Sequence, residues 1–285
     1  PTFSIQIITV GSVDAGGRWL LDLANKSNIA SSPGLVSSLL TWERVTSYNA
    51  GLDFGAFNNR LNGYVEYYIR DTKDMVGPAE EITPLVGASA PKMNNTSLRT
   101  KGWELQLTWQ DRIGKVGYHA SFNLSDAQTE VTEYPNPDKT FYTKDEDGNT
   151  IENYRKGKKL GELWGFKTVG IAKTDEEMQS WIAQHDQSKL PNVGNNIWKA
   201  GDIMYANLDD NPAIEKGTSA TDPKDLTIIG NYTPRFRFGF SLGADYKGFD
   251  INLMFQGVAK RDVWVGGDDR TAYSKGLIFW GINRG

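Results

Sequence analysis

From Arg235 to Tyr246 the sequence RFRFGFSLGADY puts Phe236, Phe238, Phe240, Leu242, Ala244 and Tyr246 on one face and Arg235, Arg237, Gly239, Ser241, Gly243 and Asp245 on the other. That period of two predicts a strand with one apolar and one polar side. After Lys247-Gly248, a tight-turn pair, Phe249, Ile251, Leu253 and Phe255 alternate with Asp250, Asn252, Met254 and Gln256, which predicts a hairpin. A second hairpin sets Trp103, Leu105, Leu107 and Trp109 against Gly102, Glu104, Gln106 and Thr108. It turns at Asp111 to Lys115 and returns with Val116, Tyr118, Ala120, Phe122 and Leu124 against Gly117, His119, Ser121, Asn123 and Ser125. A third pairs Val45 to Ala56 (apolar set Tyr48, Ala50, Leu52, Phe54) with Leu61 to Ile69 across Asn58-Asn59. In its return strand Leu61, Val65, Tyr67 and Ile69 oppose Asn62, Tyr64, Glu66 and Arg70.

These strands reach about ten residues or more, beyond the five or six usual in soluble sheets and close to what crosses a tilted bilayer path. Their connections also segregate by length. The turns at Asn58-Asn59, Asp111 to Lys115 and Lys247-Gly248 are short, whereas 71–98 and 126–234 are long. Transmembrane barrels join strands by short periplasmic turns and long external loops. The predicted fold is therefore all-β: a portion of an antiparallel transmembrane β-barrel with short periplasmic turns and long extracellular loops. Residues 1–41 read as a loop or strand lead-in, 42–258 as barrel strands that include the large extracellular segment 126–234, and 259–285 as a further, incomplete loop.

A parity condition constrains the long segment. If its two ends lie on the same side of the membrane, 126–234 contains an even number of crossings, zero or two. Pro135, Pro137 and the run Asp145-Glu146-Asp147-Gly148 indicate extramembrane structure, and Asp175 to His185 reads as a short helix with Thr174 as its N-cap. Leu160 to Ala172 alternates poorly but could extend as a strand.

Composition narrows the chemistry. Lys plus Arg number 31 and Asp plus Glu 35, a net charge of −4 without the basic excess of nucleic-acid binders. Cysteine is absent and histidine is limited to His119 and His185, so thiol nucleophiles, Cys-based zinc sites and His-rich metal centres lack parts. Acidic pairs such as Glu80-Glu81 or Asp209-Asp210 have no supporting pattern for glycoside hydrolysis. Mean hydropathy is −0.49, and no run approaches the roughly 18 apolar residues of a membrane helix. A β-barrel remains compatible, because it carries its apolar surface on alternate residues. The chain opens without an initiator methionine or a signal segment and so is expected to be processed or part of something longer.

Four stretches in order resemble SusC/RagA-type TonB-linked outer-membrane proteins of Bacteroidetes: SPGLVSSLLTWERVTSYNAGLDFGAFNNRLNGYVEYYIRDTKDM (Ser32 to Met75), NNTSLRTKGWELQLTWQD (Asn94 to Asp111), GDIMYANLD (Gly201 to Asp209) and IIGNYTPRFRFGFSLGADYKGFDINLMFQGVAKRD (Ile228 to Asp262). The resemblance covers about residues 32 to 262 and corresponds to the C-terminal part of a barrel of about 22 strands with a plugged lumen. Nothing in the chain resembles the plug or a TonB-contacting box. The resemblance implies a bacterial outer-membrane, multi-pass importer of a glycan or peptide. Its implied partners are a SusD-like surface lipoprotein, the TonB energy-transducing complex acting through regions not seen in this chain, and outer-membrane lipid. It implies no cofactor, no catalytic residue and no nucleic-acid partner. The rival reading is a soluble, secreted β-rich carbohydrate-binding module.

Alternation nominates Glu66, Arg70, Glu104, His119, Arg235, Arg237 and Asp250 as lumen-facing. It nominates Trp103, Leu105, Leu107, Trp109, Phe236, Phe238, Phe240, Ile251, Leu253 and Phe255 as lipid-facing. Trp103, Trp109, Tyr118, Tyr246 and Phe249, near strand ends, read as an interfacial girdle. Among the loop aromatics Trp164, Trp181, Trp198 and Tyr205 are candidates for partner or glycan contact, with packing inside a folded loop as the plainer role. Asn207, Asp209 and Asn211 have the spacing that opens a calcium loop. Pro212 stands where that loop needs glycine and Thr218 where it needs a bidentate Glu, so no metal is expected.

Overall fold

The computed structural model describes residues 10–12, 28–30, 35, 37, 40–78, 91–144, 150–188, 190 and 197–263. Most of the 1–41 lead-in, Glu80-Glu81, Asp145 to Gly148 and the end of 259–285 lie outside the described residues. A short antiparallel pair, β1 (Val10–Ser12) and β2 (Asn28–Ala30), precedes the long strands. These are β3 (Arg44–Ala56), β4 (Leu61–Gly77), β5 (Met93–Ile113) and β6 (Val116–Glu133). The long segment holds β7 (Tyr142–Lys144), β8 (Thr150–Glu152), β9 (Glu162–Phe166), β10 (Thr168–Ile171), α1 (Asp175–Gln184), β11 (Ile203–Tyr205) and β12 (Leu226–Asn231). The hairpin β13 (Arg235–Tyr246) and β14 (Phe249–Lys260) closes the described chain.

One antiparallel six-stranded sheet in the order β14-β13-β6-β5-β4-β3 unites the three predicted hairpins. Its cross-strand rows keep the two kinds of residue apart. Leu52, Val65, Leu105, Leu124, Phe238 and Gly257 form one row, and Gly51, Glu66, Glu104, Ser125, Arg237 and Val258 form the next. A one-residue slip in any strand would carry its apolar set to the polar side, so the shared register is what the alternation specifies. On the apolar side the Phe240 and Phe255 rings stack at 5.6 Å. At about 3.3 Å per residue and a tilt of about 40°, the span from Phe236 to Tyr246 covers about 25 Å along a bilayer normal, the height of an apolar barrel band.

Beyond β6, the described residues of 126–234 add no strand to the six-stranded sheet. β6 and β13 pair directly from Val116 opposite Tyr246 to Ser125 opposite Arg237, and none of β7 to β12 joins the six-stranded sheet. Beyond the start of β13, the loop takes its place beside β6: Val131 N–H donates to the Lys158 carbonyl at 2.8 Å and Leu160 N–H to the Thr129 carbonyl at 2.9 Å. Three expected boundaries shift, one of them at the start of 126–234, where β6 runs on to Glu133. The turn at Asp111 to Lys115 shrinks to Gly114-Lys115, with Gly114 at φ 60°, and the 71–98 connection loses residues to β4 and β5, which extend to Gly77 and from Met93.

The only multi-element apolar core among the described residues lies in the long segment. Ala172, Met178, Leu190, Trp198, Met204 and Ile214 are buried together, with Phe166, Trp181, Ile182 and Tyr205 packed against them. The predicted helix anchors it. The Thr174 hydroxyl accepts from Glu177 N–H at 3.2 Å, the acidic first turn (Asp175, Glu176, Glu177) suits the positive end of the helix dipole, and Met178 is fully buried.

Candidate functional site

The polar side of the sheet carries most of the nominated lumen residues. Glu66 and Glu104 are register partners in one row with Ser125 and Arg237. Arg70 lies opposite Thr100, whose hydroxyl meets that of Thr129 at 2.8 Å, and Ser121 meets Ser241 at 2.7 Å. His119 lies opposite Gln110 and Gly243, where a Cβ would collide with the His119 ring; the imidazole covers backbone and has no nucleophile beside it. Asp250 is paired with Asp245, which takes the Arg112 guanidinium at 3.0 Å. The surface is a field of hydroxyls, amides and sparse charges, able to hydrogen-bond a passing solute or a plug and without a catalytic constellation.

Arg235 departs from the alternation. Phe236 adopts φ 53°, which breaks the strand's period. Arg235 forms an ion pair with buried Asp126, which by the period of two shares the side of Phe122 and Leu124. Phe236 N–H donates to the same carboxylate at 3.3 Å. This pair fastens the top of β13 to β6 and takes Arg235 out of the row that the sequence assigned to it.

Trp103, Leu105, Leu107, Trp109, Phe238, Phe240, Ile251, Leu253 and Phe255 share the apolar side. Together with Tyr48, Leu52, Val65, Tyr67 and Leu242, many of them are exposed with no protein layer over them. An uncovered apolar face of this extent is unlike the surface of a soluble monomer.

The loop aromatics point inward. Trp198 is 6% exposed, Trp181 and Tyr205 pack on the same core, and Trp164 lies 4.8 Å from Phe141. They take the plainer of the two roles, packing within the folded loop, because a segment this long buries its own large apolar groups. The exposed rings are Tyr142, Tyr154 and Tyr232. Three polar hubs had no signal in the sequence. Arg155, 4% exposed, pairs with Glu162 at 3.0 Å and lies 5.2 and 5.0 Å from the Phe141 and Trp164 ring centres. Glu162 also accepts from Lys159 N–H at 2.9 Å and Trp164 Nε1 at 3.1 Å. Burial pulls the Arg155 guanidinium below its ordinary pKa, against the opposite pull of Glu162 and Glu152, and burial raises the Tyr134 phenol. Asp225 accepts from Leu208 N–H at 2.6 Å and Glu215 N–H at 2.8 Å, and Gln187 bridges the Ile203 carbonyl and Tyr205 N–H. At Asn207, Asp209 and Asn211 each side-chain oxygen accepts from the backbone N–H two residues on, so the calcium-like spacing forms a ladder of Asx turns.

A single-layer antiparallel sheet with one uncovered apolar face, one polar face, short turns at one end and a folded loop at the other is the wall of a transmembrane β-barrel. The chain matches the family described as TonB dependent receptor-like, beta-barrel over residues 17–278, and it belongs to that family of outer-membrane proteins. It is 27% identical over 242 residues to TonB-dependent receptor P39 of Formosa agariphila, covering 76% of this chain and 22% of that receptor. It is 28% identical over 113 residues to TonB-dependent receptor SusC of Bacteroides thetaiotaomicron, covering 39% of this chain and 11% of SusC. Among solved structures it is similar in fold to the RagAB peptide transporter, with a TM-score of 0.55, 22% identity, and coverage of 88% of this chain and 23% of that one. The chain thus spans about a fifth of the curated relatives' length. Those relatives are receptors rather than enzymes, and family membership disfavours a soluble sugar-binding module.

Proposed function

We propose that this chain forms part of the barrel wall of a TonB-dependent importer that carries an oligomeric nutrient, a glycan in the first instance, across the outer membrane together with a SusD-like surface lipoprotein. The observation that carries the reading is the separation of faces through the middle of the sheet: Leu105, Leu107, Phe238, Phe240, Leu253 and Phe255 toward lipid, and Glu66, Glu104, His119 and Arg237 toward the lumen. In this reading β3 and β14, which have no outer partner among the described residues, pair with further barrel strands, since an open edge is untenable in hydrocarbon. The 126–234 segment faces outward, where the lipoprotein meets it, and TonB acts from the periplasmic side.

Uptake of labelled oligosaccharide by cells producing the receptor, by cells lacking it and by cells treated with a protonophore tests this. Uptake should require both the receptor and the energised membrane. Uptake of labelled peptides but not glycans would reassign the substrate, and uptake independent of the receptor would refute the reading. An epitope inserted at Asp145 to Asn149 should be reached by antibody on intact cells. Access only after the outer membrane is broken would invert the sidedness.

A further inference from the structure

The polar side of the wall holds two guanidinium groups that pair with nothing among the described residues. The other described arginines each meet a carboxylate or, for Arg261, the Tyr232 carbonyl at 3.2 Å, whereas Arg70 and Arg237 have neither. Arg70 shares its face of β4 with Glu66. Arg237 has no carboxylate on its own face of β13 nearer than Asp245, and Asp245 holds Arg112 at 3.0 Å. Asp126, next in sequence to its register partner Ser125, lies on the other side of the sheet and is taken by Arg235 and by Phe236 N–H. Glu104 stands beyond Ser125, on β5, and forms no ion pair with Arg237. Arg237 is nevertheless exposed.

A cleft of about 580 Å³ opens beside it between β6, β13 and β14. In the next row toward the Lys247-Gly248 turn Gly239 stands between Asn123 and Gln256, and in the row after that Ser241 stands between Ser121 and Met254. Gly239 keeps the recess open, since a Cβ there would come within 2.7 Å of the Asn123 amide. The Ser121 and Ser241 hydroxyls meet at 2.7 Å, which uses one of their two protons and leaves the other for an outside acceptor. Ser125 sets a further hydroxyl beside Arg237. Met254 and Val258 border the β14 side with apolar surface, so Arg237 is the only charged residue among the described ones that line the cleft. Apolar walls weaken the screening of that charge. A planar guanidinium with hydroxyl and amide donors around it matches the two oxygens of a carboxylate. On the β4–β5 side Glu66 and Glu104, register partners without ion pairs among the described residues, repel an anion and direct it toward β13.

We propose that Arg237 seats a carboxylate of the imported solute, which makes that solute an acidic oligomer. The inference rests on the importer reading and on the lumen-facing assignment of Arg237. Arg237 lies at the end of β13 away from the Lys247-Gly248 turn, the outer end in that reading, so a solute entering from outside meets the guanidinium early. A uronate of a glycan and the terminal carboxylate of a peptide share this chemistry, and matched probes separate the two sources.

The test is equilibrium dialysis of labelled probes against the full-length receptor in detergent at low ionic strength. Tetragalacturonate is compared with its methyl ester, and an N-acetylated pentapeptide of neutral residues with its C-terminal amide. Wild type should hold one of the acids about tenfold or more tighter than its neutral counterpart, the weight of a charge-assisted hydrogen bond. Arg237→Gln should bring that ratio to about one with the neutral probe unaffected, and Arg237→Lys, which keeps the charge without the planar fork, should retain part of it. The pair that shows the preference names the source of the carboxylate. A wild type that prefers neither acid, or a preference that survives in Arg237→Gln, overturns the proposal. Equal loss of acid and neutral probe in Arg237→Gln, with the heat-modifiable mobility of a folded barrel intact, overturns it too, because the guanidinium would then be holding a plug and not the solute. Binding needs no energised membrane, so an Arg237-dependent preference in a receptor that fails the uptake experiment refutes import and leaves the seat standing.

Discussion

Removing the Glu162 carboxylate should loosen the loop domain far more than removing its whole ion pair. In Glu162→Ala, Arg155 keeps its charge at a site where it is 4% exposed, beside the Phe141 and Trp164 rings and with Glu152 as the more distant counter-charge, while Lys159 N–H and Trp164 Nε1 lose their acceptor. Stranding one member of a buried pair costs about 3 to 5 kcal/mol. At about 1.4 kcal/mol per decade, that raises the local opening equilibrium by two to nearly four orders of magnitude. β9 pairs with β12, so the effect should appear as faster amide hydrogen exchange across Glu162–Phe166 and Leu226–Asn231, with β5 and β6 unchanged. The double variant Arg155→Met/Glu162→Leu removes both charges and should recover most of the protection, because desolvation of the pair offsets much of its attraction. Exchange in Glu162→Ala within about threefold of wild type, or a double variant as loose as the single, would refute the reasoning.

Three other expectations test the wall and the loop. Phe238→Arg should destabilise the barrel by about 2 to 4 kcal/mol if the residue lies near the midplane, and spin labels should meet an aqueous quencher more at position 237 than at 238; the reverse order would overturn the face assignment. Gly63→Ala should cost about 1 to 3 kcal/mol in urea unfolding followed by gel mobility, since its Cβ would come within 2.7 Å of the Gln106 carbonyl and 2.8 Å of the Phe54 ring. A neutral result would mean the backbone there yields. Calorimetric titration with calcium should give no stoichiometric heat, because the Asn207, Asp209 and Asn211 oxygens already cap backbone N–H groups, and a heat abolished by Asp209→Ala would contradict this.

The period of two was legible because the six long strands each separate an apolar from a polar medium, and that demand writes itself into every second residue. It failed wherever the two media became alike. β4 continues through Asp71 to Gly77 and β5 begins at Met93, stretches that mix Met75, Val76 and Leu98 with polar residues at no fixed period, and whose register shifts leave no alternation to read. Arg235 misled for a related reason: its partner Asp126 is distant in sequence, and the φ of 53° at Phe236 that brings them together has no signature in a non-glycine residue. The loop aromatics were ambiguous because an irregular core draws Trp198, Met204 and Ile214 from unrelated positions without a period. A tilted crossing needs about 9 to 11 residues, whereas Gly165, Lys167 and Gly170 interrupt Leu160 to Ala172 so often that its strands stop at 5 and 4 residues. Strands that short cannot satisfy their backbone across hydrocarbon, so they pair within the loop, with β12 and β11, and the apolar face resumes where Phe238, Phe240 and Leu242 join the sheet.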